Sequence, residues 1–406
     1  MKQISFIHAA DLHLDSPMIG LKDLPAAVLS RLRESTFTAL KRLTSYAIDE
    51  KVDFVILAGD LFDGEDRSLR AQSRFRNEML RLAEAEIPVY VVHGNHDHLN
   101  GTWVQIDLPP NVTVFDSKVE MKVLETKRGD KVHLYGFSYP TRHVYDRKID
   151  EYEKIEPADF HIGILHGNES NSKEHDNYAP FSVKDLIVMR YDYWALGHIH
   201  KRTILSEHPP IVYPGNIQGR NKKELGVKGC YHVKLDEFTT KLEFIETSDV
   251  VWEEAVVNAE EARGFQDIIH LCQKAIYEKR KSHMGTLLHV KLQNVSVITD
   301  REISLLTGDL LEILNDNETE EESFVWVVEL TVLESMHYDR GSIVTEGTFF
   351  AELFETVDHF DNLEQAIALL YEHQLGRKYI AELPEVEQQE LLEKAEKLLI
   401  NLLYQK

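Results

Sequence analysis

The sequence has little of the features that mark several large classes of protein. It contains only two cysteines, too few for a disulfide framework and too isolated for a zinc knuckle. No apolar run approaches the roughly 20 residues that a membrane-spanning helix needs, and the first residues lack the layout of a signal peptide. We therefore expect a globular protein of a reducing compartment, the cytoplasm, with no membrane partner.

Positive charge is also scarce, and the deficit is uneven. The formal net charge is −24, and the segment from residue 251 to the end carries 13 Lys and Arg against 31 Asp and Glu. Acidic surfaces repel the phosphates of nucleic acids. The composition therefore argues against a broad nucleic-acid surface in that segment and leaves the first 250 residues as the place for local contacts.

A series of predicted buried strands ends in polar residues. The clearest is Val89–Val92, which runs into Gly-Asn-His-Asp at 94–97. An amide, an imidazole and a carboxylate at the end of a core strand are costly unless they have partners, and a metal supplies such partners. Four more apolar runs end in the same way, and their polar residues are Asp11 and His13, Asp60, His166, and His198 and His200.

Helical spacing between these strands predicts an α/β fold. Residues 25–50 and 67–86 have this spacing, and layered α/β folds assemble their sites at the carboxyl ends of strands. From about Val250 the polar-ended strands stop, and a small α+β unit is predicted. Two amphipathic helices follow at 361–373 and 385–404. We therefore expect three domains, at 1–245, 246–335 and 336–406.

The polar residues at the strand ends have the chemistry of a two-metal hydrolase. Carboxylate, imidazole and amide oxygen suit divalent cations such as manganese or iron, and the absence of a thiolate among them counts against structural zinc. Two cations about 3.5–4 Å apart would stabilise both oxygens of a phosphoryl transfer. Asp60 can bridge such cations. The candidate ligands are Asp11, His13, Asp60, Asn95, His166, His198 and His200.

These motifs, in this order, resemble those of the calcineurin-like metallophosphoesterases. Within that group the chain is most similar to the SbcD family of DNA repair nucleases, exonuclease subunits that are partnered with an SMC-like ATPase. This second resemblance rests on HAADLHLD, GDLFD, YPGN near residue 215, and the trailing domain and helices. It implies a four-layer sandwich of mixed β-sheets flanked by helices, followed by a small α+β capping domain and C-terminal helices.

The resemblance also implies how the ligands divide between two divalent cations, with manganese expected and iron or zinc as alternatives. Asp60 would belong to both sets. One set is Asp11, His13, Asp60 and His200, and the other is Asp60, Asn95, His166 and His198.

His96 is implied to act on the substrate and not on the metal. It would contact the scissile phosphate or protonate the leaving oxygen, a role that suits a group titrating near neutral pH. Some repair-nuclease relatives have a second histidine where this chain has Asp63. We therefore expect Asp63 or Asp97 to orient an imidazole by a hydrogen bond.

Basic and amphipathic segments suggest partners. The arginine-rich helix at 67–86 has three interpretations: phosphate contact, a solvated face, or the homodimer contact that the resemblance suggests. The C-terminal helices suit either an ordinary core or docking to an SMC-like ATPase. Basic residues just after the last two motifs would neutralise DNA phosphates or form ordinary surface. These candidate DNA contacts are Lys201, Arg202, Arg220, Lys222 and Lys223.

The sequence leaves three functions open. The first is a metal-dependent phosphodiesterase acting on DNA in repair, with 3′–5′ exonuclease and single-strand endonuclease action implied by the resemblance. The second is a metallophosphoesterase for a cyclic nucleotide, a nucleotide pyrophosphate or a phosphoprotein, which would not need the additional C-terminal segments. The third is an assembly subunit of an SMC-like complex, against which the intact motif set counts. We expect the first.

Overall fold

Long helices separate the first three strands of the chain. The computed structural model describes residues 2–16, 18, 21, 24–63, 68–101, 104, 106–170, 178–295, 300–316, 318, 322–333, 340, 348–360 and scattered positions from 363 to 403. The strands and helices up to residue 246 are β1 (Gln3–Ala9), α1 (Ala26–Asp49), β2 (Phe54–Ala58), α2 (Leu69–Glu84), β3 (Val89–Val92), β4 (Val112–Val114), β5 (Glu120–Glu125), β6 (Lys131–Gly136), a 3-10 helix (Lys148–Glu151), β7 (Phe160–His166), α3 (Val183–Val188), β8 (Tyr193–Gly197), β9 (Thr203–Glu207), β10 (Pro210–Tyr213), β11 (Gly229–Asp236) and β12 (Thr240–Glu246).

Two six-stranded sheets of mixed direction form the centre of the fold. The first has the order β12-β11-β1-β2-β3-β4, and the second has the order β5-β6-β7-β8-β10-β9. The strands β1 to β4 run parallel to one another, as do β6, β7, β8 and β10. Parallel strands place their carboxyl ends at the same edge of a sheet, so the loops after β1, β2 and β3 come together.

The fold has four layers, in which the two sheets lie between outer layers of helices and irregular segments. The two sheets pack face to face through fully buried side chains such as Phe6 and Phe54 of the first sheet and Ile162 of the second. Helices α1 and α2 cover the outer face of the first sheet, while α3 and irregular segments cover the second. Because both faces are covered, a strand such as β2 is apolar along its whole length. The predicted sandwich of mixed sheets flanked by helices is confirmed.

A third, three-stranded sheet follows. Its order is β13-β14-β15, from Val250–Asn258, Gly285–Gln293 and Val325–Leu333, and it packs against α4 (Phe265–Lys279) and α5 (Asp300–Asn315). Arg31 of α1 binds Asp249 at 3.0 Å, at the start of this segment. Residues 1–332 form one compact unit that includes most of this sheet. The domain boundaries at 245 and 335 stay predictions.

Residues 333–406 form a second unit. Its described residues include a helix at Thr348–Asp358 and an ion pair of Arg340 with Asp358 at 2.8 Å. The helices predicted at 361–373 and 385–404 lie largely outside the described residues. No helix in the described part of the chain is long and apolar enough to cross a membrane.

Candidate metal centre

The loops that follow β1 and β2 run side by side. The Asp11 N–H donates to the Gly59 carbonyl and the His13 N–H to the Asp60 carbonyl, both at 3.0 Å. Asp11, His13 and Asp60 have left-handed φ angles of 51°, 41° and 50°, and His198 has 101°. For residues other than glycine such conformations cost of order 1–3 kcal/mol each and cluster at functional sites. The fold therefore holds these side chains where the backbone alone would not place them.

One cluster of possible ligand atoms comes from Asp11, His13 and His200. Their ligand atoms lie within 4.8 Å of one another, and the Nε2 atoms of His13 and His200 are 3.1 Å apart. Asp11 and His13 are fully buried, whereas the His200 side chain is about a quarter exposed. Two imidazole nitrogens this close to each other could bind the same cation.

A second cluster contains Asp11, Asp60 and His166. The His166 Nδ1 donates to the Ala58 carbonyl at 2.9 Å, because that oxygen can only accept. This bond leaves Nε2 of His166 facing Asn95 Oδ1 at 3.1 Å and Asp60 Oδ2 at 3.4 Å. A backbone contact that fixes the tautomer of an imidazole is typical of a histidine that binds a metal.

Asp60 belongs to the second cluster and also lies near His13 of the first. Its Oδ2 is 3.4 Å from His166 Nε2 and 3.8 Å from His13 Nε2, while its Oδ1 accepts the His96 N–H at 2.9 Å. The position is the one that a carboxylate bridging two cations would occupy. Its role as a bridge stays a prediction.

Glycines allow this close packing. A Cβ on Gly197 would lie 1.8 Å from the Ala58 carbonyl oxygen, and one on Gly94 would lie 2.3 Å from Asp60 Oδ1. Gly197 ends β8 of the second sheet and Ala58 ends β2 of the first. The two sheets therefore approach each other closely beside the candidate ligands, and only glycine fits there.

The electrostatics of the clusters favour positive charge. Burial raises the pKa of the Asp11 carboxyl, although His200 and His166 oppose this. Burial also acts to raise the pKa of Asp60, but the charge and hydrogen bond of His166 outweigh it and hold the pKa well below its usual value. Burial acts to lower the pKa of His166, but Asp60 raises it to about 9. Carboxylate, imidazole and amide oxygen in this arrangement fit a divalent cation.

His198 contacts the candidate ligand Asp11 through its backbone. Its N–H donates to both oxygens of Asp11, at 3.0 and 3.1 Å. Its ring lies beside that of His166, with centroids 5.3 Å apart. Among the described residues the three-membered clusters do not include the His198 ring, so its assignment as a ligand stays a prediction.

His96 lies at the rim of the centre. About a third of its side chain is exposed, and its ring packs edge-on against His13 with centroids 4.9 Å apart. The Nδ1 atoms of His96 and His13 are each 3.4 Å from Asp63 Oδ1. Asp63 therefore contacts a candidate ligand and the candidate catalytic group at once, which leaves Nε2 of His96 free to face a substrate.

Asp97 acts on the backbone of the neighbouring loops. It accepts hydrogen bonds from the backbone N–H groups of Leu61 at 2.8 Å and Gly94 at 2.7 Å. Its Oδ2 also forms a hydrogen bond with Nδ1 of His93 at 2.9 Å. The carboxylate ties the loop after β2 to the loop after β3. The imidazole that Asp97 orients is thus that of His93, which lies outside the predicted ligand set.

Glu224 was not predicted as a site residue. Its Oε1 accepts Nδ1 of His200 at 2.8 Å, and its Oε2 accepts Nδ2 of Asn216 at 2.8 Å. Burial acts to raise the pKa of Glu224, but the hydrogen bond from His200 outweighs it and lowers the pKa to about 2. In the sequence Glu224 follows two lysines and has the pattern of ordinary surface charge, so no local signal identifies it.

The five predicted DNA contacts have three kinds of surroundings. Arg220 is mostly buried and binds Asp63 at 3.3 Å, so it belongs to the metal centre. Lys222 pairs with Glu329 at 2.9 Å, and Arg202 lies over the Phe244 ring. Lys201 and Lys223 also have exposed side chains. Their contact with DNA stays a prediction.

The arginines of α2 are largely used within the fold. Arg70 and Arg74 both bind Glu34 of α1, and their guanidinium groups lie 5.1 and 4.7 Å from the Phe37 ring centroid. These contacts join α1 to α2. They favour a structural role for the arginines of α2 over contact with phosphates. A homodimer contact through this helix stays a prediction.

Comparisons with known proteins agree with this geometry. The sequence pattern of the calcineurin-like phosphoesterases matches residues 4–202. The "Uncharacterized metallophosphoesterase YhaO" of Bacillus subtilis is 39% identical over 402 residues, which cover 98% of each chain. The "DNA double-strand break repair protein Mre11" of Thermoplasma acidophilum is 27% identical over 53% of this chain and 57% of that protein.

A second Mre11 protein, from Methanocaldococcus jannaschii, is 23% identical over 340 residues, which cover 77% of this chain and 88% of that protein. The match to the Bacillus relative extends over nearly the whole of both chains, and the family pattern spans the strands that carry every candidate ligand. The chain therefore belongs to the calcineurin-like phosphoesterases, a family of metal-dependent hydrolases.

Proposed function

We propose that the protein is a metal-dependent phosphodiesterase that cleaves DNA. The observation that carries the proposal is the pair of buried ligand clusters around Asp60, with the partly exposed His96 at their rim. Similarity to proteins named for DNA double-strand break repair supports DNA as the substrate. The resemblance to the SbcD family supports 3′–5′ exonuclease and single-strand endonuclease action.

The residues divide the work of hydrolysis. When bound, two divalent cations would act as Lewis acids and lower the pKa of a water molecule. Asp11, His13 and His200 would hold one cation, and Asn95, His166 and His198 the other. Asp60 would hold both, since its Oδ2 lies between His13 and His166. Manganese suits this set of oxygen and nitrogen donors.

His96 would give a proton to the leaving oxygen. Partial burial acts to lower its pKa, but the contact with Asp63 and the charge of Asp60 outweigh burial and raise the pKa above its ordinary value. A raised pKa favours the protonated imidazole, which is the form that a general acid requires. Asp63 holds Nδ1, so Nε2 is the atom that would carry the transferred proton.

The experiment measures manganese-dependent hydrolysis of duplex DNA, single-stranded DNA, bis-(p-nitrophenyl) phosphate and a cyclic nucleotide. We expect cleavage of DNA, and we expect His96→Ala to keep metal binding while losing about 10²–10⁴-fold in rate. His270→Ala, an exposed histidine on α4, is the matched control. Cleavage of the cyclic nucleotide without DNA would instead assign a small substrate. Absence of all hydrolysis would favour an assembly subunit.

The proposed protein partner is an SMC-like ATPase. An SMC-like ATPase would dock on the C-terminal helices, most of which lie outside the described residues. Deleting residues 361–406 should then remove ATPase association and leave bis-(p-nitrophenyl) phosphate cleavage intact. We also propose a cytoplasmic location, which the two free thiols Cys230 and Cys272 in separate cores support.

A further inference from the structure

Three aromatic rings lie together beside the metal centre. The ring centroids of His143 and Tyr145 are 5.8 Å apart, those of His143 and Tyr178 are 5.7 Å apart, and those of Tyr145 and Tyr178 are 5.9 Å apart. The ring planes lie within 24° of parallel. Since the three separations are nearly equal, the rings form a triangle and not a column. We call them the aromatic platform.

The platform adjoins a candidate metal ligand. The ring of Tyr178 packs edge-on against His198 with centroids 5.4 Å apart, and His198 in turn packs against His166. The other side of the platform is open to solvent, because Tyr145 is 65% exposed and His143 is also exposed. The rings thus lead outward from the metal centre to the surface.

Backbone contacts fix the platform to the end of β7. The Asn168 side chain accepts the Tyr178 N–H at 2.8 Å, and the Asn168 N–H donates to the Tyr178 carbonyl at 3.1 Å. The Ala179 N–H donates to the Val144 carbonyl at 2.6 Å, which joins the two loops that carry the rings. A Cβ on Gly167 would lie 2.7 Å from the Ala179 carbonyl oxygen. The glycine after His166 therefore lets the platform approach the metal centre.

We propose that the aromatic platform binds an unpaired nucleobase of the substrate strand, an inference that rests on the proposed cleavage of DNA. Every nucleobase has a π face that stacks on aromatic side chains, so such a surface tolerates any sequence. A base within a duplex is already stacked and paired, and opening it costs free energy. The platform therefore selects a strand that is single or locally opened.

The chemistry of the rims supports a nucleobase as the occupant. The platform combines three π surfaces with two hydroxyl groups and the ring nitrogens of His143. A nucleobase offers both a π face and hydrogen-bonding edges, and these match the exposed ring and hydroxyl group of Tyr145 and the exposed imidazole of His143. Contact between Tyr178 and His198 places a bound base next to the phosphodiester that the metal centre would cleave.

The test compares a short single-stranded oligonucleotide with an otherwise identical strand of abasic sugars. KM for manganese-dependent cleavage is measured for the full chain, for Tyr145→Ala, and for Tyr145→Phe, which keeps the ring. Phe238→Ala removes another exposed ring, at the turn between β11 and β12, and is the matched control. Quenching of 2-aminopurine fluorescence in the bound strand gives a second readout that does not depend on cleavage.

We expect the full chain, Tyr145→Phe and Phe238→Ala to favour the strand with bases by about tenfold in KM. Tyr145→Ala should lose most of this preference and most of the quenching. A preference that survives Tyr145→Ala, or equal KM values for both strands in the full chain, would overturn the platform and leave DNA cleavage standing. Hydrolysis of bis-(p-nitrophenyl) phosphate with neither strand cleaved would overturn the proposed function and the platform together.

Discussion

The carboxylate of Glu224 accepts a hydrogen bond from Nδ1 of His200 at 2.8 Å. A carboxylate can only accept, so Nδ1 carries the proton and Nε2 is the atom that faces His13. Partners of this kind orient a histidine towards a metal and raise its basicity. Glu224 thus completes a chain from Arg220 and Asn216 to the metal centre.

Removing this carboxylate should weaken metal binding. We expect Glu224→Ala to lower manganese affinity about 10–100-fold, because such partners contribute by that amount to metal affinity. Titration calorimetry of the metal-free protein with manganese measures it. Glu246→Ala, an exposed glutamate on β12, should leave the affinity unchanged. Equal affinities in the two variants would contradict a positioning role for Glu224.

Replacing Asp60 should reduce metal content. Asp60→Asn keeps the shape of the side chain but removes the charge that lies between His13 and His166. An amide has one oxygen for binding and cannot bridge two cations as a carboxylate does. We expect elemental analysis to find fewer than two manganese ions per chain, with Asp146→Asn as an exposed control. Full occupancy by two ions would rule out the bridge.

His8 should make folding sensitive to pH. It is fully buried, its Nε2 donates to the Leu196 carbonyl at 3.1 Å, and its Nδ1 accepts the Tyr193 hydroxyl at 3.0 Å. Burial lowers its pKa to about 3, against the opposing effect of the Leu196 bond. Below the ordinary pKa of about 6.5 the unfolded chain binds a proton that the folded chain does not, so stability falls as pH falls.

The variant His8→Gln keeps hydrogen-bonding groups but does not titrate. Between pH 6 and pH 5 we expect the wild type to lose about 1 kcal/mol more of unfolding free energy than the variant does. Denaturant unfolding at the two pH values measures the difference. The contributions of the other titrating groups to the unfolding free energy cancel, because both proteins contain those groups. Parallel losses would show that His8 binds its proton equally in the folded and unfolded states.

Gly197 should not tolerate a side chain. A Cβ there would lie 1.8 Å from the Ala58 carbonyl oxygen, where the two sheets approach beside His166. Because both groups belong to central strands, we expect Gly197→Ala to destabilise the fold by about 3 kcal/mol or more. The control is Gly308→Ala in α5, where nothing lies near the added methyl group and helix propensity should improve. Thermal unfolding of the two variants distinguishes steric conflict from a general effect of alanine.

Local pattern was enough to predict the strands that carry the site. The strand at Val89–Val92 has the predicted bounds, and the helix predicted at 25–50 is observed at Ala26–Asp49. Fully buried strands are continuous apolar runs, so they stand out in a sequence. Strands β11 and β12 were not predicted, because histidine, lysine and aspartate interrupt the apolar pattern of β11, and β12 is only partly buried and rich in charge. The same weakness applies to the short, half-exposed β9.

The sequence by itself determined which chemistry the chain carries, because polar residues at the ends of buried strands need partners wherever those strands lie. Only the tertiary structure decided which other side chains contact or surround the candidate ligands. Glu224 reaches His200 across 24 residues, Asp63 contacts both His13 and His96, and the loops of Tyr145 and Tyr178 meet beside β7. Such contacts depend on how two sheets pack and on glycines that let them approach, and no local periodicity records that approach.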